Sequence, residues 1–282
     1  MQAVIHYPEV PFGAFYYMKT KYWLIALSIF LMLLVWQLVT WFGGFPTFIL
    51  PSPEQVGVRF GQAILDGSLL RNAAVTLVEV LLGLALGVSV ATVLGYLLAR
   101  SIHLERLLSP YIVASQSIPI VAIAPLLVIW FGPGLSSKVL ICALIVFFPV
   151  LVNTVVGVRS VPEDLRDLMR SLQATRWQTL KSLELPAALP VFLGGLRIGA
   201  TLAVIGAVVG EFVGAKSGLG FLVNVGRGVY DTSLVFVAVF TLITMALVLY
   251  GLVAMIEKRL LRWQQRPENE VFLNNSVQGK TR

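Results

Sequence analysis

The sequence predicts an all-α integral membrane protein with six transmembrane helices, and three observations carry that prediction. Of 282 residues, 57% are hydrophobic and 12% charged, and the mean hydropathy is +0.86, whereas a soluble domain runs at about 25% charged. Charge-free stretches cover 22–53, 80–99, 107–137, 139–158 and 232–256, each long enough for the roughly 20 apolar residues a membrane helix needs. A sixth stretch, 187–213, is interrupted only by Arg197 and Glu211.

In chain order the expected spans are 23–42, 77–99, 107–131, 138–158, 190–213 and 233–256, flanked by tails 1–22 and 257–282. The first follows Lys19 and Lys21. It is too long for the apolar core of a secretory signal and no small-residue cleavage site follows it, so it reads as a retained anchor. In the connection 43–76, Ser52 before Pro53 and Glu54 is a helix N-cap with proline at the first helical position, so a short surface helix is expected there. Ser115, Gln116 and Ser117 precede Pro119 in the third span; the missing N–H of the proline predicts a kink. Gly195, Gly199, Gly206, Gly210 and Gly214 have the small-residue spacing that lets helices approach closely in lipid. The polar tail after Arg266 has a disordered composition.

The charges orient the bundle. With both termini inside, 15 of the 21 Lys and Arg residues fall on the cytoplasmic side and 5 outside, Arg197 being intramembrane; that asymmetry is the positive-inside pattern. It also accounts for the net charge of +7 without invoking nucleic acid. The lone Cys142 can form neither an internal disulfide nor, by itself, a structural zinc site.

The cytoplasmic loop 159–189 stands out because four acids interleave there with five bases. Ser160-Val161-Pro162-Glu163 fits a capping box, and so does Thr175-Arg176-Trp177-Gln178. Leu165, Leu168, Met169 and Leu172 repeat at helical spacing, so two amphipathic helices are expected, the second ending near Leu185-Pro186. This pattern suits docking into a protein groove better than lying on an anionic membrane.

Here the chain resembles the membrane subunits of binding-protein-dependent ABC importers of the type I fold. Their loop carries Glu-Ala-Ala, three residues, Gly, nine residues, Ile, one residue and Leu-Pro. Asp167-Leu168-Met169 stands at Glu-Ala-Ala, Gln173 at the glycine, Leu183 at Ile, and Leu185-Pro186 at the end. Pro125-Leu126, Trp130-Phe131-Gly132, Glu184-Leu185-Pro186-Ala187-Ala188-Leu189-Pro190, Gly195-Leu196-Arg197 and Gly210-Glu211 resemble the nitrate, sulfonate, taurine and vitamin-precursor branch, over roughly 50–260. The resemblance implies that the loop, including Thr175 and Trp177, is a coupling element for a separate ATPase. It also implies an external substrate-binding protein and a second permease subunit, by default a homodimer. Glutamine at the glycine position predicts a hinge with ordinary dihedrals or mild local strain.

No P-loop is present, since Ala215 separates Gly214 from Lys216-Ser217; the chain is expected to be no enzyme and to bind no cofactor or metal. Candidate pathway residues are Ser115, Gln116, Ser117, Pro119 and Glu211, because polar groups within spans face the bundle interior or a cavity. For Glu211 an exposed interfacial position, or an ion pair with Arg227 or Lys216, is the alternative. Glu79 is expected at the outer interface, and Arg197 as an anchor for the coupling loop. Trp23, Trp41 and Trp130 stand at span ends, where interfacial anchoring is expected. Phrases such as Gly210 to Ala215 look like permeases for riboflavin or a hydroxymethylpyrimidine. Sulfonate, taurine or nitrate is the alternative substrate class, and a stand-alone secondary transporter or channel is the alternative of another kind.

Overall fold

The computed structural model describes residues 13–264, with side chains over 23–263. Tail residues 1–12 and 265–282, including the segment expected to be disordered, lie outside the described residues. All regular structure among the described residues is helical: α1 (Gly13–Gly43), α2 (Pro53–Leu65), α3 (Ser68–Arg100), α4 (Ile102–Gln116), α5 (Ile120–Phe131), α6 (Leu135–Arg159), α7 (Glu163–Ser171), α8 (Arg176–Thr179), α9 (Leu185–Phe212), α10 (Leu219–Gly228) and α11 (Thr232–Leu260). Five helices are long and apolar enough to cross a membrane, and α4 with α5 makes a sixth if the bent pair counts as one span.

The center of the molecule is the trio α3, α6 and α9, packed through small residues. Lipid tails are as apolar as leucine, so helix association here rests on close backbone approach. Gly83 of α3 and Gly206 of α9 both face Cys142 of α6; a Cβ on Gly206 would lie 2.8 Å from the Cys142 Cα. Gly195 and Gly199 pack on Asn153 and on Val146 with Val150, and Gly210 on Lys138 and Ile141, so four of the five spaced glycines do sit at a helix contact. Gly214 does not: it lies past the end of α9, at φ 75°.

Over residues 23–43, helix α1 is exposed except at Trp36 and Thr40, which are half-buried. It meets the rest through Trp36, whose ring stacks on Phe236 at 5.3 Å and whose Nε1–H donates to the Pro51 carbonyl at 3.1 Å. Ser52 caps α2 as expected, in a reciprocal capping box with Gln55.

Three elements depart from expectation. The third span is not one helix over 107–131: α4 and α5 meet at 95°. Pro119 has no N–H to continue the ladder, and it stands as the extended residue before α5. Helix α7 does not use the Ser160 capping box. The Ser160 hydroxyl donates back to the Gly157 carbonyl at 2.8 Å, and Pro162 is the residue before the helix. Nor does the second loop helix stop at Leu185-Pro186. It runs from α8 through a π-helical turn, Leu180–Glu184, into α9; Leu185 N–H bonds to the Leu180 carbonyl, and Pro186, with no N–H to donate, follows directly where the ladder has shifted by one residue.

Candidate functional site

The loop between α6 and α9 projects as an elbow. Helix α7 ends in two backbone bonds: Gln173 N–H donates to the Arg170 carbonyl at 2.9 Å, and Ala174 N–H to the Met169 carbonyl at 3.0 Å. That pairing is a Schellman motif, whose C′ residue is left-handed and usually glycine. Gln173 occupies it with φ 53°, so the expectation of ordinary dihedrals is corrected and the strained option stands. Thr175 then restarts the chain as α8. Its hydroxyl accepts from Gln178 N–H at 3.3 Å, while Gln178 Oε1 accepts from Thr175 N–H at 2.7 Å.

The elbow exposes Leu165, Leu168, Leu172 and Trp177, the last 69% exposed. Asp167 holds Arg170 at 2.7 Å on the exposed face, Met169, Leu183 and Pro186 are half-buried, and Leu185 is exposed. Apolar side chains lifted off the bundle, ringed by ion-paired charges, make a surface suited to docking.

What holds the elbow was not singled out from the sequence. Glu184, in the π turn, is 1% exposed and takes Arg100 of α3 at 3.1 Å and Arg166 of α7 at 3.5 Å. The Tyr96 hydroxyl donates to it at 3.3 Å, and Arg166 also donates to the Val158 carbonyl at 2.7 Å. One carboxylate thus ties α3, α7 and α9 together. Buried acids persist when paired, so an acid beside Leu185-Pro186 was the available signal. Arg159 extends the frame by a two-bond pair with Glu105, at 2.8 and 2.6 Å. Arg197, expected to anchor this loop, instead pairs with Glu257 of α11 at 2.6 Å and lies over the Tyr250 ring.

A second polar cluster lies at the opposite end of α3 and α9. Glu79, expected at the interface, is 1% exposed and accepts from Lys138 Nζ at 2.9 Å. Glu211 is equally buried and pairs with neither Arg227 nor Lys216. It accepts from the Thr76 hydroxyl at 2.6 Å and from the Gly220 N–H. Asn72 and Thr76 accept from Gly218 and Leu219 N–H at 2.7 and 2.8 Å, so α3 and α9 together grip the start of α10. Gly218 and Gly220 leave room for the Glu211 carboxylate, since a Cβ on Gly220 would lie 2.8 Å from its Oε2.

The remaining pathway candidates cluster at the α4–α5 bend. Gln116, Ser117 and Pro119 are exposed there, and the Ser115 hydroxyl donates to the Ile112 carbonyl at 2.8 Å. Glu211 stands apart from them in its own network. Trp23, Trp41 and Trp130 are all exposed.

Residues 83–262 match the family described as the binding-protein-dependent transport system inner membrane component. The chain belongs to that family of ABC importer permeases. It is 48% identical over 240 residues to the riboflavin transport system permease protein RibX of Chloroflexus aurantiacus, covering 85% of this chain and 90% of that one. It is 35% identical over 251 residues to the formylaminopyrimidine transport permease protein ThiX of Halalkalibacterium halodurans, covering 88% of this chain and all of that one. Its fold is similar to that in inward-facing conformations of the MetNI methionine ABC transporter, with a TM-score of 0.60 at 21% identity, over 72% of this chain and 98% of that chain. The chain is therefore a multi-pass inner-membrane permease with the type I importer architecture.

Proposed function

We propose that this permease imports riboflavin or a chemically related vitamin precursor such as a hydroxymethylpyrimidine, delivered by an external binding protein and driven by a separate ATPase docked on the elbow 159–189. The observation that carries the coupling role is the elbow itself: exposed Leu168, Leu172 and Trp177 on a support clamped at its base by Glu184. Movement of a partner seated on α7 and α8 passes into α9 through the continuous π turn and into α3 through Arg100. The substrate class is supported by the likeness to the riboflavin and formylaminopyrimidine permeases. The basic residues that crowd the elbow side support a cytoplasmic position for both termini; in this reading two copies of the chain enclose the pathway, with Gln116, Ser117 and Pro119 near it.

The test has two arms. The binding protein encoded beside this chain is expected to retain riboflavin or a pyrimidine precursor on equilibrium dialysis; retention of taurine or another sulfonate instead would transfer the assignment to the anion branch. The reconstituted permease is expected to stimulate its ATPase partner when loaded binding protein is added. Solute flux through the permease alone, without ATP, would favor a stand-alone transporter.

A further inference from the structure

Two cavities meet at Glu184. One, of about 350 Å³, lies between α3, α6 and α9 and is walled by apolar side chains that include Val93, Leu97, Val158, Leu189 and Phe192. The other, of about 260 Å³, is polar and collects four guanidinium groups, from Arg100, Arg166, Arg170 and Arg176. Glu184 lines both. The π turn creates this placement: Leu185 N–H bonds to Leu180 rather than to Lys181, and the extra residue rotates the preceding segment by about 100° relative to an α-helical continuation.

We propose that the two neighboring cavities, which share Glu184 as a wall, bind one anionic phospholipid, its phosphate on the arginine cluster and an acyl chain in the apolar cavity. Charge and position favor that occupant. Glu184 faces the polar cavity, but Arg100 and Arg166 already offset its charge. Arg170 shares exposed pairs with Asp167 and Glu163, and Arg176 has no carboxylate partner among the described residues. The cluster therefore retains positive charge for an incoming phosphate, to which guanidinium groups bond strongly. The polar cavity lies where the end of α3 meets the elbow, on the side of the bundle read as cytoplasmic, where basic pockets beside the spans are suited to lipid headgroups. A free phosphate or a partner's carboxylate would satisfy the arginines but leave the apolar cavity unfilled.

The test uses the full chain in neutral detergent, titrated with phosphatidylglycerol, with phosphatidylcholine of the same acyl chains, and with inorganic phosphate, reading the melting temperature. Phosphatidylglycerol is expected to give a saturable rise, with neither of the others matching it. Arg176→Gln, at an exposed position, is expected to weaken the apparent affinity about tenfold, the loss of one charge-assisted hydrogen bond. Val93→Trp, at an exposed position on the cavity wall, is expected to reduce the response while leaving the lipid-free melting temperature unchanged. Equal rises with both lipids, a rise reproduced by inorganic phosphate, or a full response in both variants would overturn the proposal. So would displacement of phosphatidylglycerol by the ATPase subunit, which would assign the arginines to the docking face.

Discussion

Gln173 carries a cost that a single substitution can measure. A left-handed non-glycine residue costs about 1–2 kcal/mol, and glycine removes that cost while losing more backbone entropy on folding. Gln173→Gly is therefore expected to stabilize the elbow by about 0.5–1 kcal/mol, read as slower proteolysis within 163–184; Gln173→Val, with a branched Cβ, should speed it. At Glu184 removal of the carboxylate leaves Arg100 and Arg166 facing each other. Glu184→Ala should cost about 2 kcal/mol or more in mixed-micelle unfolding and should lower ATPase stimulation. The Glu79–Lys138 pair is drier still, at 1% and 6% side-chain exposure. Lys138→Met is expected to cost about 3–5 kcal/mol in the same assay, and the double variant Glu79→Gln, Lys138→Met much less, because the penalty belongs to the stranded charge. Equal losses in the single and double variants would contradict this.

Among the elements, the elbow and the α4–α5 bend carry the functional argument. Trp177→Glu keeps the α8 capping box, which depends on Thr175 and Gln178, while placing a charge on the exposed apolar face. It should lower ATPase stimulation at least tenfold with the melting temperature unchanged. The long apolar helices and the Ser52 and Thr175 caps were legible because their signals are local: residue type, spacing, and a side chain bonding three positions away. The Ser160 box failed although its spacing was right, because the hydroxyl found the Gly157 carbonyl one turn back. The π turn and the 95° bend were illegible in detail, since Pro119 signals a break in the ladder but not its angle, and only packing of α5 through Ala124 and Leu127 beside Ile141 of α6 sets that. Glu79 was misplaced, Glu184 was missed, and the partners of Glu211 were not foreseen, for one reason. Those partners lie 59, 88 and 135 positions away in the chain, and no local pattern reveals such pairs.

At the scale of the whole molecule, both ends of the central trio are fixed by buried carboxylates. Glu184 ties α3 to the elbow at one end, and Glu211 with Thr76 ties α3 and α9 to α10 at the other. Between them the helices touch through glycine and small residues, a contact that transmits displacement along a helix with little room for side-chain rearrangement. Under the proposed docking of an ATPase on the elbow, its movement would carry α9 as a rod, and two such rods in a dimer would open the pathway alternately to the two sides. The most direct test is uptake of labeled riboflavin into proteoliposomes containing this permease, its ATPase inside and its binding protein outside. The expected result is accumulation that requires ATP and binding protein and is abolished by Trp177→Glu. Uptake that proceeds without ATP, or that Trp177→Glu leaves untouched, would contradict the coupling role of the elbow.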